Sequence, residues 1–251
     1  MRTNQMMKKI LPIILIVTSL SLSAQDSVLL RLNYTQGDSY LVDTEIKTDM
    51  GRLGCMNMKV SWKKDVSEVS AEGVKLESKV VSIIVDMKQD GKITMNYDSS
   101  QKDEELDEMG QMLKSKFDPM MNAIFHTSLD NLGNVIETRT VPDIPGIEEL
   151  LSNVNTVILP EEKVSVGTTW TSEVKKQGII MSIKYTVSNI VNGNVTLDIS
   201  GNAKGVESGS IKGKETIEIG DGISKNSMAE MTIVCEEMTI HITVNSLVTK
   251  I

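Results

Sequence analysis

Cys55, Cys235, His126 and His241 are the only cysteines and histidines in the chain, so nucleophilic or soft-metal chemistry must draw on them. A Cys–His nucleophile needs its thiol and imidazole brought together, and no local spacing here does that. The chain has no G-x-S-x-G elbow, no HExxH helix pair and no phosphate-cradling P-loop. His241 alternates with Thr239, Thr243 and Asn245 on the solvent side of a strand, and His126 opens the short strand 126–129. No catalytic residue is assigned, and the chain reads more as a binder than as an enzyme.

Cys55-Met56-Asn57-Met58 places three sulfur donors within four residues, a composition suited to Cu(I). Strand alternation sets Met56 and Met58 on one face and Cys55 on the other, so core packing is the simpler reading. No metal or cofactor is assigned. Cys55 and Cys235 either pair in an oxidising compartment or remain two separate thiols. The acidic run Asp103 to Glu108 fits a solvated helix start better than a cation site.

Methionine is over-represented: sixteen residues against two Phe, four Tyr and two Trp. Its unbranched, polarizable side chain adapts to varied apolar ligands. The expected ligand-binding set is Met56, Met58, Met109, Met120, Met181, Ile183, Tyr185 and Met231, lining a deformable cavity between sheet and helix. An acyl chain there gains ~0.8 kcal/mol per buried CH₂. A carrier of this type needs an interior cavity above roughly 300 Å³.

The elements that position these residues are mostly strands. Ile179, Met181, Ile183, Tyr185 and Val187 alternate with polar residues. After Asn192-Gly193-Asn194, Val195, Leu197 and Ile199 do the same, which predicts a hairpin. Tyr40 to Thr48 and Met56 to Trp62 alternate likewise. Val80 to Val85 is apolar on both sides, which predicts a strand covered on both faces. Met231, Ile233 and Cys235 are out of phase with Met238 to Val244, so a turn or bulge is expected at Glu236-Glu237.

Helical spacing links Leu106, Met109, Leu113, Phe117, Met120 and Ile124, with Pro119 expected to kink or split that helix. A second helix is expected from Pro145 to Pro160. The fold class is α+β, mostly β: a large curved, half-barrel-like antiparallel sheet covered by two or three central helices. Residues 25–251 form one domain of two β-halves joined by the helical segment 103–158. Gly37-Asp38-Ser39-Tyr40 and Gly167-Thr168-Thr169-Trp170 open strands alike, through an internal repeat or through shared turn chemistry.

Residues 1–24 have a basic start, a short apolar run and a Leu22-Ser23-Ala24 exit, which read as a cleavable export signal with no lipid-anchor cysteine. Periplasmic or secreted location follows, with no transmembrane segment in the mature chain. Cleavage removes Arg2, Lys8 and Lys9 and no acid, so the formal net charge moves from −8 to −11. Such a surface disfavours nucleic acid as a partner.

Leu30 to Tyr40, Asp130 to Ile136 and Leu159 to Trp170 resemble an exported Bacteroidetes-type family of unknown function, a resemblance that implies no catalytic residues. The order of sheet and helices is similar to half-barrel lipoprotein carriers of the LolA/LppX type, which implies a lipid-binding cavity. The expected function is non-catalytic, soluble periplasmic binding or carriage of a lipid or acyl chain. The alternatives are an envelope scaffold that meets a protein partner through a sheet edge, and a hydrolase with an unrecognised site.

Overall fold

The computed structural model describes residues 27–144, 157–176, 179–205, 208–235 and 238–251. The export-signal segment, most of the expected second helix and the Glu236-Glu237 connection lie outside the described residues. Twelve strands dominate: β1 (Ser39–Asp49), β2 (Cys55–Ser70), β3 (Gly73–Gln89), β4 (Lys92–Asp98), β5 (Ile124–Leu129), β6 (Val135–Val141), β7 (Thr169–Lys176), β8 (Ile179–Val191), β9 (Asn194–Lys204), β10 (Ser208–Glu218), β11 (Ser224–Cys235) and β12 (Met238–Lys250). One α-helix is present among the described residues, α1 (Glu108–Met121), where two or three were expected.

The strands form one open antiparallel sheet in the order β6-β5-β3-β2-β1-β12-β11-β10-β9-β8-β7, with β4 paired to β3. The second half, β7 to β12, is a meander, while in the first half β3 pairs with both β4 and β5. The first and last strands meet in the middle, Tyr40 opposite Lys250, and β6 and β7 are left at opposite edges. Register shifts at Ser61/Trp62, Val66/Glu68, Ser128/Leu129, Val187/Asn189 and Thr216/Ile217 mark bulges. Bulges steepen strand twist, which coils a long sheet toward a barrel.

The two β-halves therefore divide differently from the expectation. Residues 124–141 are the β5–β6 hairpin of the first half rather than part of a helical joint. α1 starts at the Asp107 cap, whose Oδ1 accepts from the Gly110 amide at 2.7 Å. Pro119 sits in its last turn and does not split it, because few backbone bonds remain there to lose. Val80 to Val85 is not covered on both faces: Val81 is 52% exposed beside the bulge, while Ile83 is fully buried.

The Asn192-Gly193 hairpin forms as read. Asn192 and Gly193 take φ of 51° and 75°, the left-handed pair that matches strand twist. Cys235 pairs with Met238 at the open ends of β11 and β12, and the connection expected at Glu236-Glu237 lies outside the described residues. The two similar strand openers match bond for bond. Gly37 and Gly167 have φ of 89° and 90°. The Gly37 amide donates to Val66 O at 2.9 Å and the Gly167 amide to Val187 O at 2.8 Å.

Candidate functional site

Register fixes which side chains look inward. Val42 stands opposite Trp62 and Val248, and Ile46 opposite Met58 and Val244. Met231 lies between Ile211 and Ile242, and Ile183 between Ser172 and Gly201. The concave face is therefore apolar from β3 to β8. Met56 and Met58 lie on it and pack with Phe117 and Met120 of α1 against the Trp62–Phe125 core. Met181, Ile183 and Met231 lie half-buried on the β8–β11 side, and Tyr185 is buried against Trp170.

The expected set is thus split. Met56, Met58 and Met120 belong to the core under α1, while Met181, Ile183, Tyr185 and Met231 belong to the other half of the sheet. Met109 does not line the interior: it is 37% exposed, because α1 turns Leu113 and Phe117 toward the sheet and Met109 away from it.

Cys55 and Cys235 are both free thiols. β1 and β12 stand between their strands, a path of about 14 Å across the sheet at ~4.8 Å per strand, well beyond disulfide reach. Cys55, Asp49 and His241 form one cross-strand row on the convex face. Asp49 occupies the middle, so thiol and imidazole are two strands apart. His241 Nδ1 instead lies 3.1 Å from Thr232 Oγ1.

One end of the coiled sheet is closed by chain segments. Residues 28–34 pair with Val164, with Asn131 and with Asp221 in turn. Arg31 clamps the closure: Nη1 donates to Leu30 O and Pro160 O at 2.6 and 2.8 Å, and Nη2 to Glu161 O at 2.5 Å. Gly222, at φ 68°, lies so close that a Cβ there would stand 2.0 Å from Arg31 O.

Behind this closure is a cavity of about 110 Å³. It is walled by apolar groups, among them Val42, Trp62, Phe125, Leu129, Leu159 and Val248. Its volume falls below the floor of roughly 300 Å³ that an enclosed carrier requires, so the expected closed lipid cavity is not what the fold provides. Larger hollows, of about 400, 550 and 530 Å³, lie toward the convex face and the sheet ends among charged side chains.

An amine and a carboxyl, those of Lys64 and Glu215, face this small cavity beside the phenols of Tyr34 and Tyr40. Lys64 continues the inward phase of Trp62, opposite Tyr40 and Ser78. Burial alone acts on its ammonium and pushes the pKa down, with no carboxylate offsetting the loss of water. Glu215, between Leu197 and Ser227, is buried to 6% exposure. Burial pushes its pKa up to about 7, partly offset by a hydrogen bond from Ser224. Tyr40, also on the cavity wall, is pushed up to about 12, first by burial and then by Asp38.

Lys64 and Glu215 were not among the expected residues. The signal was present, since each is a charge standing on the apolar phase of its strand, Lys64 after Val60 and Trp62, Glu215 between Ile211 and Ile217.

No protein-family model matches the chain, and no curated protein matches it. Among solved structures it is similar to lipovitellin, in a study of lipid–protein interactions in that protein, with a TM-score of 0.58 at 8% identity. The match covers 87% of this chain and 25% of lipovitellin's, so the chain spans about a quarter of that protein's length. The likeness is one of fold: a large, open, coiled antiparallel sheet.

Proposed function

We propose that this protein binds an apolar ligand, a lipid or acyl chain, along the concave face of its sheet and catalyses no reaction on it. The observation that carries this reading is the continuity of the inward apolar face, from Met58 and Ile46 through Val244 and Met231 to Ile183. On the β8–β12 side these residues are half-buried, so apolar surface remains to be covered. A chain of methylenes laid there needs no closed cavity. Lipovitellin, a protein studied for its lipid interactions, shares the sheet architecture, which supports the reading by analogy of fold alone. Export through the signal-like residues 1–24 would place this binding in the periplasm or outside the cell.

Titration with a long-chain fatty alcohol tests the reading. Saturable binding that falls at least tenfold in the Met181→Asp, Ile183→Asp double variant, with an unchanged circular dichroism spectrum, is the expected result. Absence of binding to the parent protein contradicts it.

A second reading, an envelope scaffold, rests on the β6 edge. Ile136 is 63% and Val141 48% exposed on this strand, whose outer side has no strand partner among the described residues, the form of edge that accepts a strand from another protein.

A further inference from the structure

Lys64, half-buried in a mostly apolar wall, forms no ion pair among the described residues, and that arrangement is costly. An ammonium that gives up part of its hydration without gaining a partner is held at a penalty. A lysine at a sheet surface can turn its amine back to water, but Lys64 points into the cavity with Trp62 on the same face and Val66 beyond it. Glu215 reaches the same cavity from the other half of the sheet, and the two form no ion pair: burial and Ser224 are all that act on its carboxyl. Two groups of opposite charge type thus line one small cavity without pairing with each other.

We propose that Lys64 and Glu215 form the headgroup site for a long-chain carboxylate, a fatty acid, whose tail lies along the concave face. This rests on the lipid-binding reading above and adds the ligand's chemical class. The ligand carboxylate pairs with the Lys64 ammonium, and the protonated Glu215 carboxyl donates a hydrogen bond to its second oxygen. Lys64 then has the partner it lacks alone, and Glu215 gains one beside Ser224. The cavity is small, about 110 Å³, and a carboxylate is a compact anionic headgroup suited to such a space.

The inward row of β10 leads from Glu215 toward the apolar face. Next to Glu215 on that phase is Gly213, then Ile211, then Gly209. Their inward neighbours across β9 and β11 include Ile199, Gly201, Ala203 and Ala229. The row carries no charged side chain on its way to Met181 and Met231, so a tail laid along it meets apolar surface.

The experiment compares three C16 probes on the full chain at one pH: a fatty acid, the matching alcohol and the matching alkyl phosphate. The acid should bind at least tenfold more tightly than the alcohol and the phosphate. Lys64→Met should erase that advantage by weakening acid binding tenfold or more, with the alcohol changed less than twofold. The titratable groups on the cavity wall are Tyr34, Tyr40, Lys64 and Glu215. At pH 8, with Glu215 ionised and both tyrosines neutral, Glu215→Gln should strengthen acid binding severalfold, because the amide donates without repelling the ligand.

If acid and alcohol bind alike and Lys64→Met changes neither, the headgroup site is overturned while the lipid-binding reading stands. Equal binding of the phosphate overturns the carboxylate assignment. Failure of all three probes to bind overturns both readings. Because Lys64→Met removes a charge and keeps the stem, the alcohol arm verifies that the variant is folded.

Discussion

Lys64 and Glu215 line one cavity of about 110 Å³ although their strands, β2 and β10, stand four positions apart in the sheet. At ~4.8 Å per strand that path is about 19 Å along the sheet. A flat sheet would hold such side chains too far apart to share one space, so the sheet curves between them. The bulges at Ser61/Trp62, Val66/Glu68 and Thr216/Ile217 supply the curvature close to both residues. Sheet geometry thus places an amine and a carboxyl, remote in sequence, around one pocket.

Lys64→Met should stabilise the ligand-free protein. The substitution exchanges an unpaired half-buried ammonium for an apolar side chain of similar length, removing a penalty of about 1–3 kcal/mol. Urea denaturation of the delipidated protein would show a higher midpoint with an unchanged slope. A lower midpoint would mean that Lys64 has an acceptor in the folded state.

Glu215 makes stability depend on pH in a defined window. Its pKa is raised from 4.5 in the unfolded chain to about 7 in the folded one, so the folded state holds its proton more tightly. Below about pH 4.5 the carboxyl is protonated in both states and exacts no penalty. As pH rises toward about 7 the unfolded state ionises first, and this group's share of stability falls, by on the order of 3 kcal/mol in all. Above about pH 7 the loss is complete. Glu215→Gln should flatten the pH 4.5–7 slope in thermal unfolding; an unchanged slope would contradict the burial.

Arg31 ties its own segment to residues 160–161 through two carbonyls, Pro160 O and Glu161 O. Arg31→Ala should destabilise the protein by about 2 kcal/mol, as charged hydrogen bonds are lost. Hydrogen exchange should rise most at Val28 and Val164, whose amides bond to each other's carbonyls at 2.8 Å. Uniform protection in the variant would show that the closure holds without the clamp.

Gly213 faces inward where β10 and β11 approach closely, and a Cβ built there would stand 2.3 Å from Met228 O. Backbone cannot yield as a flexible side chain does. Gly213→Ala should therefore cost about 1–3 kcal/mol through overpacking, read as a lower denaturant midpoint. A neutral result would show that the strands can part at this point.

Local alternation made much of the sheet legible from sequence. The β8–β9 hairpin and the inward phase of Met56, Met58, Met181 and Met231 follow from period two and the Asn192-Gly193 pair. Sheet order was not legible. Nothing local in Tyr40 or Lys250 says that the first and last strands pair, because that contact is set by curvature and closure of the whole sheet. The β5–β6 hairpin was hidden because Val135 to Val141 lies at an exposed edge and lacks a clean apolar phase.

The candidate site was legible only in part. The methionines announce an apolar face, but Met109 shows that helical spacing alone cannot fix which face meets the sheet. Lys64 and Glu215 were missed because a charge is ordinarily solvated, so the eye stops the apolar phase at Trp62. Continuing that phase by one more pair of residues places Lys64 inside.

Native mass spectrometry of the full chain, purified without delipidation, is the most direct measurement of lipid binding on the concave face. The expected spectrum contains a bound species with the mass of an acyl-chain lipid, lost when Met181 and Ile183 are both replaced by Asp. Bare protein alone, unchanged after addition of long-chain alcohol or acid, contradicts it.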